Sequence, residues 1–529
     1  MTAPAAELPP LPQDPEALQA LVRAQARELA LVRAQLAWFT EQYRLSRLQR
    51  FGPSRERVDE RQLRLFEDPP GLEPPPAADL PPPPASRLRR ARRVHTGGGR
   101  GPLPAHLPRE RIVHDLPEAD RACPCCGQAR QVIGQERSEQ LDIHPPRLVV
   151  LEQVRLKYAC RHCQGHIQTP PPAAQPIARS FVSPGLLAWL VVAKYADGLP
   201  LYRLVKILAR WGVVLSRTTL SHWMIQAGQL VQPLINLLHE QLLEADIVQA
   251  DETPLQVLRE AGRAAQTKSF LWLYRSGTSP PIVLYDYQPT RAGAHPKRYL
   301  AGFGGYLQTD GYPGYGQVGE TGHRPTLVGC WAHVRRYFLE ALQALPPGTA
   351  PGLAGEALYR IGRLYRIERL IKTLSPEQRR RYRQRLSQPR LEALHDWLQA
   401  RAGQVLPKSL LGKAVGYALN QWPRLIRYVE DGRLSIDNNA SERDIKTVVI
   451  GRKAWLFCNT PAGARASANL YALVETAKAN GLEPWAYLKG VFRDLPRAQS
   501  VEQIEALLPW NVAAEAGAND HPHTPARAA

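Results

Sequence analysis

Five short runs between residues 246 and 330 constrain this chain more than any other feature. They are "DIVQADETPLQVL" (246–258), "SFLWLYR" (269–275), "PIVLYDY" (281–287), "GYLQTDG" (305–311) and "TLVGC" (326–330). Each is dense in β-branched, aromatic and apolar residues and short enough to be a buried strand. The spacing predicts a helix over residues 291–301 and another, "WAHVRRYFLEAL", straight after the fifth strand. Strands that give way to alternating helices and strands make an α/β layout with a mixed sheet. The first three can form an antiparallel meander, with the fourth, ending at Asp310, beside the first. That order brings Asp251 and Asp310 together. Asp251 and Glu252 are neighbours, and neighbours on a strand face opposite ways, so at most one of them serves a given side.

Two carboxylates alone repel and raise one another's pKa. Divalent cations relieve that, and oxygen ligands suit Mg²⁺ or Mn²⁺. Two such ions, about 3.5–4 Å apart, can hold the attacking and leaving oxygens of a phosphodiester displacement. The scheme needs a third acid on a helix packed near the first strand. "SIDNNASERDIKTVVIGRKAWLF" (435–457) offers Glu442, early in a helix capped by Asp437 or Asn438. Lys446, one turn on, faces the same way and could approach the same phosphate. Arg452 and Lys453 follow. The residues alone leave a plainer alternative open, a solvent-exposed Glu442 paired with Lys446.

At 529 residues the chain is too long for one core, so several domains are expected. Lys and Arg number 68 against 48 Asp and Glu, a net charge of +20, and a large basic protein usually meets a polyanion, most often nucleic acid. No apolar run approaches the ~20 residues that span a bilayer. "MTAPAAELPP" lacks the regions of a signal peptide. A cytoplasmic protein is expected, in which cysteines bind metal more often than they form disulfides.

Before the strands lie four distinct segments. Leu18, Val22, Gln25, Leu29, Val32, Leu36, Phe39 and Tyr43 recur at alternating steps of four and three, a coiled-coil stripe with one polar member that suits self-association. "PPGLEPPPAADLPPPPAS" (69–86) is a stiff spacer, and "RLRRARR" (87–93) before "HTGGGRG" a flexible basic arm for phosphates, or a solvated linker. Cys123-x-x-Cys126 and Cys160-x-x-Cys163 are two knuckles able to complete a tetrahedral structural Zn²⁺ site, with Cys125 a spare ligand. Val154, Leu156 and Tyr158, alternating with Arg155 and Lys157, predict a strand of that zinc-ribbon-like module. "GLPLYRLVKILARWGVVLSRTTLSHWMIQAG" (198–228) reads as helix, Gly turn, helix, with Ser216 as N-cap. Such a helix-turn-helix can lie in a major groove with Arg217, Thr218, Thr219 and His222 leading, or be an ordinary helical hairpin.

Beyond the fifth strand, residues 340–431 are rich in Leu, Arg and Gln without strand alternation, a helical insertion. Cys330-x-x-His333 opens the helix before it, and two ligands do not complete a zinc shell. Trp422 suits core packing better than stacking on an unpaired base.

"DETP", "TDGYPGY", "GCWAHVRRYF" and "DNNASERDIKTVVIGRKAWLF" closely resemble motifs of the large DDE transposases of the insertion-sequence sixty-six family. The likeness extends to "FGPSRER", "LPAHLPRERIVHDLP", the cysteine pairs and "YALVETAKANGLEPWAYL", so it covers nearly all of the chain. The resemblance implies an RNase H-like catalytic core whose metal-binding triad is Asp251, Asp310 and Glu442, with Glu252 turned away or supporting. It implies that Cys330 and His333 support the catalytic region, that end DNA and target DNA are the partners, and that two smaller proteins of the same element assist. One departure stands out: the basic residue frequent seven positions after the glutamate in other families is Val449 here, leaving Lys446 or Arg452 for that role.

The expected architecture is a multidomain α/β protein. It has a coiled-coil helix (1–60), linker and basic arm (61–110), zinc-ribbon-like domain (111–180) and helix-turn-helix-like region (181–243). The catalytic domain (244–475, insertion about 340–431) and C-terminal helices with a disordered tail (476–529) complete it. The expected activity is cleavage of element ends and joining of the 3′-OH to target DNA with two metal ions. The alternatives are an inactive or repurposed DNA-binding derivative and an RNase H-like nuclease.

Overall fold

A computed structural model describes residues 14–51, 148–157, 169, 173–319, 324–346 and 348–519. The chain divides into two compact units, Met1–Ala78 with Pro171–Ala529, and Asp79–Pro170. In the second unit, residues 148–157 are irregular and exposed throughout. This corrects the strand expected at Val154 and Leu156: the alternation is there, but among the described residues no neighbouring strand supplies a ladder. Tyr158, the four paired cysteines, Cys125 and the basic arm lie outside the described residues.

The first unit opens with α1 (Pro15–Phe51). Every member of the predicted stripe is exposed, from Leu18 to Tyr43. The helix touches the rest of the unit by its other side and its C-terminal end, where Leu45 is buried and Glu41 accepts the backbone N–H of Leu410 at 3.2 Å. Four helices follow: α2 (Pro184–Tyr195), α3 (Leu201–Arg210), α4 (Arg217–Leu230) and α5 (Gln232–Leu243). Gly212, at φ +85°, makes the turn between α3 and α4, and Ser216 caps α4 by accepting the Thr219 N–H at 3.0 Å, as expected.

A five-stranded sheet comes next: β1 (Ile247–Gln256), β2 (Lys268–Ser276), β3 (Val283–Gln288), β4 (Tyr306–Gln308) and β5 (Thr326–Val328). Its order is β3-β2-β1-β4-β5. The first three strands form the antiparallel meander, and β4 and β5 run parallel to β1. Ile247 to Ala250 are all buried, as befits a central strand covered on both faces. Pro254 is tolerated in β1 because β4 pairs only as far as Gln249, so no ladder bond is lost there.

Three boundaries differ from expectation. The helix after β3, α6 (Ala294–Tyr299), starts three residues later than predicted, because residues 289–293 stay irregular and carry Arg291 back to Glu252. β4 and β5 end at Gln308 and Val328, since Asp310 and Cys330 turn into contacts described below. The chain continues through α7 (Trp331–Gln343), α8 (Gly352–Ile371), α9 (Pro376–Tyr382), α10 (Gln388–Ala402) and α11 (Leu410–Leu425). The insertion is thus helical, and no strand occurs in it among the described residues. It shares a second hydrophobic core with α7 and the sheet, with Phe338, Ile361, Leu394 and Ala418. Arg383 is buried within it, paired with Glu368 at 2.6 Å and donating to the carbonyls of Tyr428, Asp431 and Leu434.

Last come α12 (Asn439–Trp455), α13 (Pro461–Ala479), α14 (Pro484–Asp494), α15 (Val501–Glu505) and α16 (Pro509–Asn519). α16, an apolar-led helix, runs to Asn519, into the stretch expected to hold the tail, and packs Val512 on the main core. That core joins the front helices to the sheet and α13, through Trp223, Leu234, Leu273 and Leu470. At Gly228 a Cβ would sit 2.5 Å from the Ala466 Cα, so α4 and α13 cross with their backbones almost touching. Among the described residues no helix is long and apolar enough to cross a membrane.

Candidate active site

The site begins with register. β1 and β4 pair in parallel as Ile247–Tyr306, Val248–Leu307 and Gln249–Gln308. Asp251 lies two residues further along β1 and Asp310 two residues past the end of β4, close enough for Asp310 to add repulsion on Asp251, and the Gln249–Gln308 pair precedes both. That pair is a buried hydrogen bond, Gln249 Nε2 to Gln308 Oε1 at 2.8 Å. Gln308 Nε2 in turn donates to the Ser435 carbonyl at 2.8 Å, tying the strand to the loop that leads into α12. Neither glutamine was singled out in the sequence, although the signal is there: "QAD" within β1 and "QTD" at the end of β4 share the same Gln-x-Asp spacing.

α12 brings in Glu442. Its N-terminus is pinned by Asn438, which is fully buried and donates from Nδ2 to the Ala250 carbonyl at 2.9 Å. Asn438 stands at the predicted cap position, but its side chain caps nothing; Oδ1 accepts from Ser441 at 2.8 Å. Its backbone N–H meets the Cys330 sulfur at 3.2 Å. At the other end Arg452 donates to the Pro254 carbonyl, and Cys458 forms a parallel bridge with Val257. The helix therefore lies along β1 with both ends fixed.

The electrostatics follow. Burial pushes the Asp251 carboxyl from its ordinary 3.8 up to about 8, with Glu252, Asp310 and Glu442 adding repulsion against the relief of the Glu252 N–H on Oδ1 at 2.8 Å. Asp310 accepts the Tyr312 N–H at 2.9 Å, and its carbonyl accepts the Tyr417 hydroxyl from α11. Glu252 points elsewhere. Its side chain is 2% exposed, pairs with Arg291 and accepts the Tyr315 hydroxyl at 2.7 Å. Burial raises its pKa too, opposed by Tyr315 and Arg291.

Behind Glu442 sit Cys330 and His333. Among the described residues, the Cys330 sulfur, a His333 ring nitrogen and a Glu442 oxygen lie within 4.8 Å of one another, a group that does not include the two aspartates. His333 Nδ1 is 3.7 Å from Glu442 Oε1, buried and without a hydrogen-bond partner. Burial pushes the Cys330 thiol up to about 12, so in this setting it keeps its proton.

The remaining sequence candidates fall into three groups. Arg217, Thr218 and His222 are exposed at the leading end of α4, whose opposite face is buried by Leu220, Trp223 and Met224. Lys446 and Lys453 are exposed on α12, while Arg452 is half-buried against β1. Trp422 packs edge-on against Trp331 at 5.7 Å and beside His395 at 4.8 Å, a core role.

The chain matches the Transposase IS66 family over residues 179–466, a span that takes in all three acids. The chain belongs to the IS66 transposase family. Three further matches follow the order of the chain: the Transposase C of IS166 homeodomain at 38–112, the zinc-finger binding domain of transposase IS66 at 120–164, and the IS66 C-terminal element at 472–510. The zinc-finger match spans both cysteine pairs, which supports zinc binding there. IS66 membership likewise supports DNA as the partner. Among relatives, uncharacterized protein y4qI of Sinorhizobium fredii is 36% identical over 77% of this chain and 76% of its own. Uncharacterized protein y4jD of the same organism is 34% identical over 83% and 86%, and y4hP 31% over 78% and 76%. No solved structure matches the chain.

Proposed function

We propose that this protein is a DNA transposase with an RNase H-like catalytic core, in which Asp251, Asp310 and Glu442 hold two Mg²⁺ (or Mn²⁺) ions for end cleavage and joining. The observation that carries the reading is the β1–β4 register together with the raised Asp251 pKa. Carboxylates crowded on β1 and just past the end of β4, with a third arriving on α12, are a set of hard oxygen donors whose repulsion a divalent cation removes. Ions held by these three side chains would supply charge neutralisation at the scissile phosphate and acidify the attacking hydroxyl.

The chain's own residues do the positioning. Gln249 and Gln308 hold the two strands level, and Asn438 sets the depth of α12. Cys330 and His333 pack behind Glu442 and limit where its carboxylate can swing. Lys446 and Lys453 face solvent on the same helix and offer charge to DNA, while Arg452 keeps that helix on β1. Arg217, Thr218 and His222 are exposed for groove contact. Cys123, Cys126, Cys160 and Cys163 are assigned to a structural Zn²⁺ within the end-binding part of the chain. The exposed stripe of α1 is assigned to a second copy, since seven apolar side chains at heptad spacing otherwise face water.

The test is nicking of DNA that carries the element end from beside the gene. Asp251→Ala, Asp310→Ala and Glu442→Ala are each expected to abolish Mg²⁺-dependent nicking with DNA binding nearly intact. Nicking that survives in any one of them removes that residue from the triad. Deleting residues 1–50 is expected to lower the mass seen by light scattering.

A further inference from the structure

We infer that Arg291 is a DNA-backbone clamp, a positioning residue that holds a phosphate next to the one being cut, and that Glu252 and Tyr312 preset it for that task. This inference rests on the transposase reading of the site.

Glu252 follows Asp251, yet its side chain enters the opposite environment and is almost completely buried. One carboxylate oxygen takes the Tyr315 hydroxyl at 2.7 Å. The other takes two donors from Arg291, Nε at 2.7 Å and Nη2. The guanidinium carbon also lies 4.0 Å over the ring of Tyr312, close enough for a cation–π contact. The Tyr312 hydroxyl donates to the Arg291 carbonyl, and the Tyr312 N–H donates to Asp310. Arg291 is therefore held edge-on by a carboxylate and face-on by a ring, and the backbone that carries the ring is tied to a proposed metal ligand.

Three features point to a ligand beyond Glu252. The Arg291 side chain is 44% exposed, whereas its partner carboxylate is hidden, so the group reaches outward rather than inward. Its Nη1 has no hydrogen-bond partner among the described residues, although an arginine fork has five donors to place. Its charge is felt by Glu252 and it feels Asp310, so it sits at the rim of the acid cluster. Phosphate oxygens are the ligand that a planar, preset fork beside a phosphodiester site recognises best.

The loop that carries Arg291 is packed firmly. At Gly293 a Cβ would lie 2.6 Å from the Gly314 carbonyl oxygen, so this loop and the turn after Asp310 are zipped together. Trp272 and Tyr315 back the turn at 5.6 Å. A rigid fork loses less freedom on binding than a mobile surface lysine does. Arg452 cannot substitute, because it is committed to the β1 backbone.

The experiment compares full-length wild type with Arg291→Ala, Arg291→Lys and Glu252→Gln on the element-end duplex. Binding is measured without divalent ions across a salt series, and then with single methylphosphonates that remove one phosphate charge at a time around the nick. Arg291→Ala is expected to weaken binding about tenfold. It should reduce the slope of log affinity against log salt by about 1. One methylphosphonate position that weakens wild type should have no further effect in Arg291→Ala. Arg291→Lys should recover the slope but not the full affinity, and Glu252→Gln should fall between. In turnover, the loss should appear in KM more than in kcat. If the Ala variant fails to fold, Arg291→Gln gives the same comparison. An unchanged salt slope together with an intact methylphosphonate profile in the Arg291 variants would overturn the clamp and leave a structural counter-ion for Glu252. Binding does not depend on nicking, so a wild type that binds the end but never nicks with Mg²⁺ would count against the transposase reading while still reporting on Arg291.

Discussion

Replacing Asp251 by Asn gives the sharpest physical test of the site. The wild-type carboxyl is raised from 3.8 to about 8 by burial and three neighbouring acids. A group with a raised folded pKa contributes stability that is complete below its unfolded pKa and is lost as pH rises through the folded one. Metal-free wild type should therefore weaken between about pH 4 and pH 8, whereas Asp251→Asn, which cannot ionise, should not share that loss. Each pH unit between the two pKa values is about 1.4 kcal/mol, so the ceiling is about 6 kcal/mol. Asp251 is only half-buried, and solvent screening brings the expected difference to about 2–3 kcal/mol. For a unit of this size that is about 2–3 °C in Tm. The assay is thermal unfolding of both proteins at pH 5 and pH 8.5 in chelator, then at pH 8.5 in Mg²⁺. Taking the difference between the two pH values cancels whatever else the substitution changes. Mg²⁺ at a hundredfold excess over its Kd should stabilise wild type by about 2.7 kcal/mol and the variant much less. Parallel pH profiles and equal Mg²⁺ responses would refute the claim that crowded carboxylates at this site await a cation.

Other outcomes follow from the packing. Asn438→Ala removes the bond to the Ala250 carbonyl and should cost about 1–3 kcal/mol while slowing nicking more than DNA binding, read by parallel unfolding and cleavage assays. Arg383→Met strands Glu368 and three carbonyls in the insertion and should destabilise it by about 3–5 kcal/mol, visible as early hydrogen exchange across α8 to α11. Gly228→Val forces a side chain into Ala466 and should cost about 1–3 kcal/mol by chemical denaturation, with the front helices loosening first. Cys160→Ser should lower the zinc content found by elemental analysis and weaken end binding, whereas unchanged zinc would remove that cysteine from the ligand set.

The outline of the fold could be read from local pattern. Strand-length apolar runs, a Ser216 cap and a Gly212 turn are short-range features, and each appeared where the residues demanded it. Helix in residues 340–431 was legible for the same reason, since composition without alternation leaves few choices. The irregular course of the chain near Val154 was not, because alternation alone makes no ladder without a partner. Nor was the helix reaching Asn519, which is held by packing of Val512 on a core built by distant residues.

Residue types and order alone placed Asp251, Asp310 and Glu442 in motifs that resemble one transposase family, and the membership of that family bears out the resemblance. What the sequence could not supply was which side chains turn toward which. Glu252 and Arg291 are 39 residues apart and meet only because β3 returns beside β2 and the loop folds back. Gln249 and Gln308 are 59 apart and meet only through the parallel register. Asn438 looked like a helix cap and instead fastens a helix to a strand 188 residues earlier. Such pairings depend on long-range closure, in which the burial of two cores decides which polar groups lose water and must find each other.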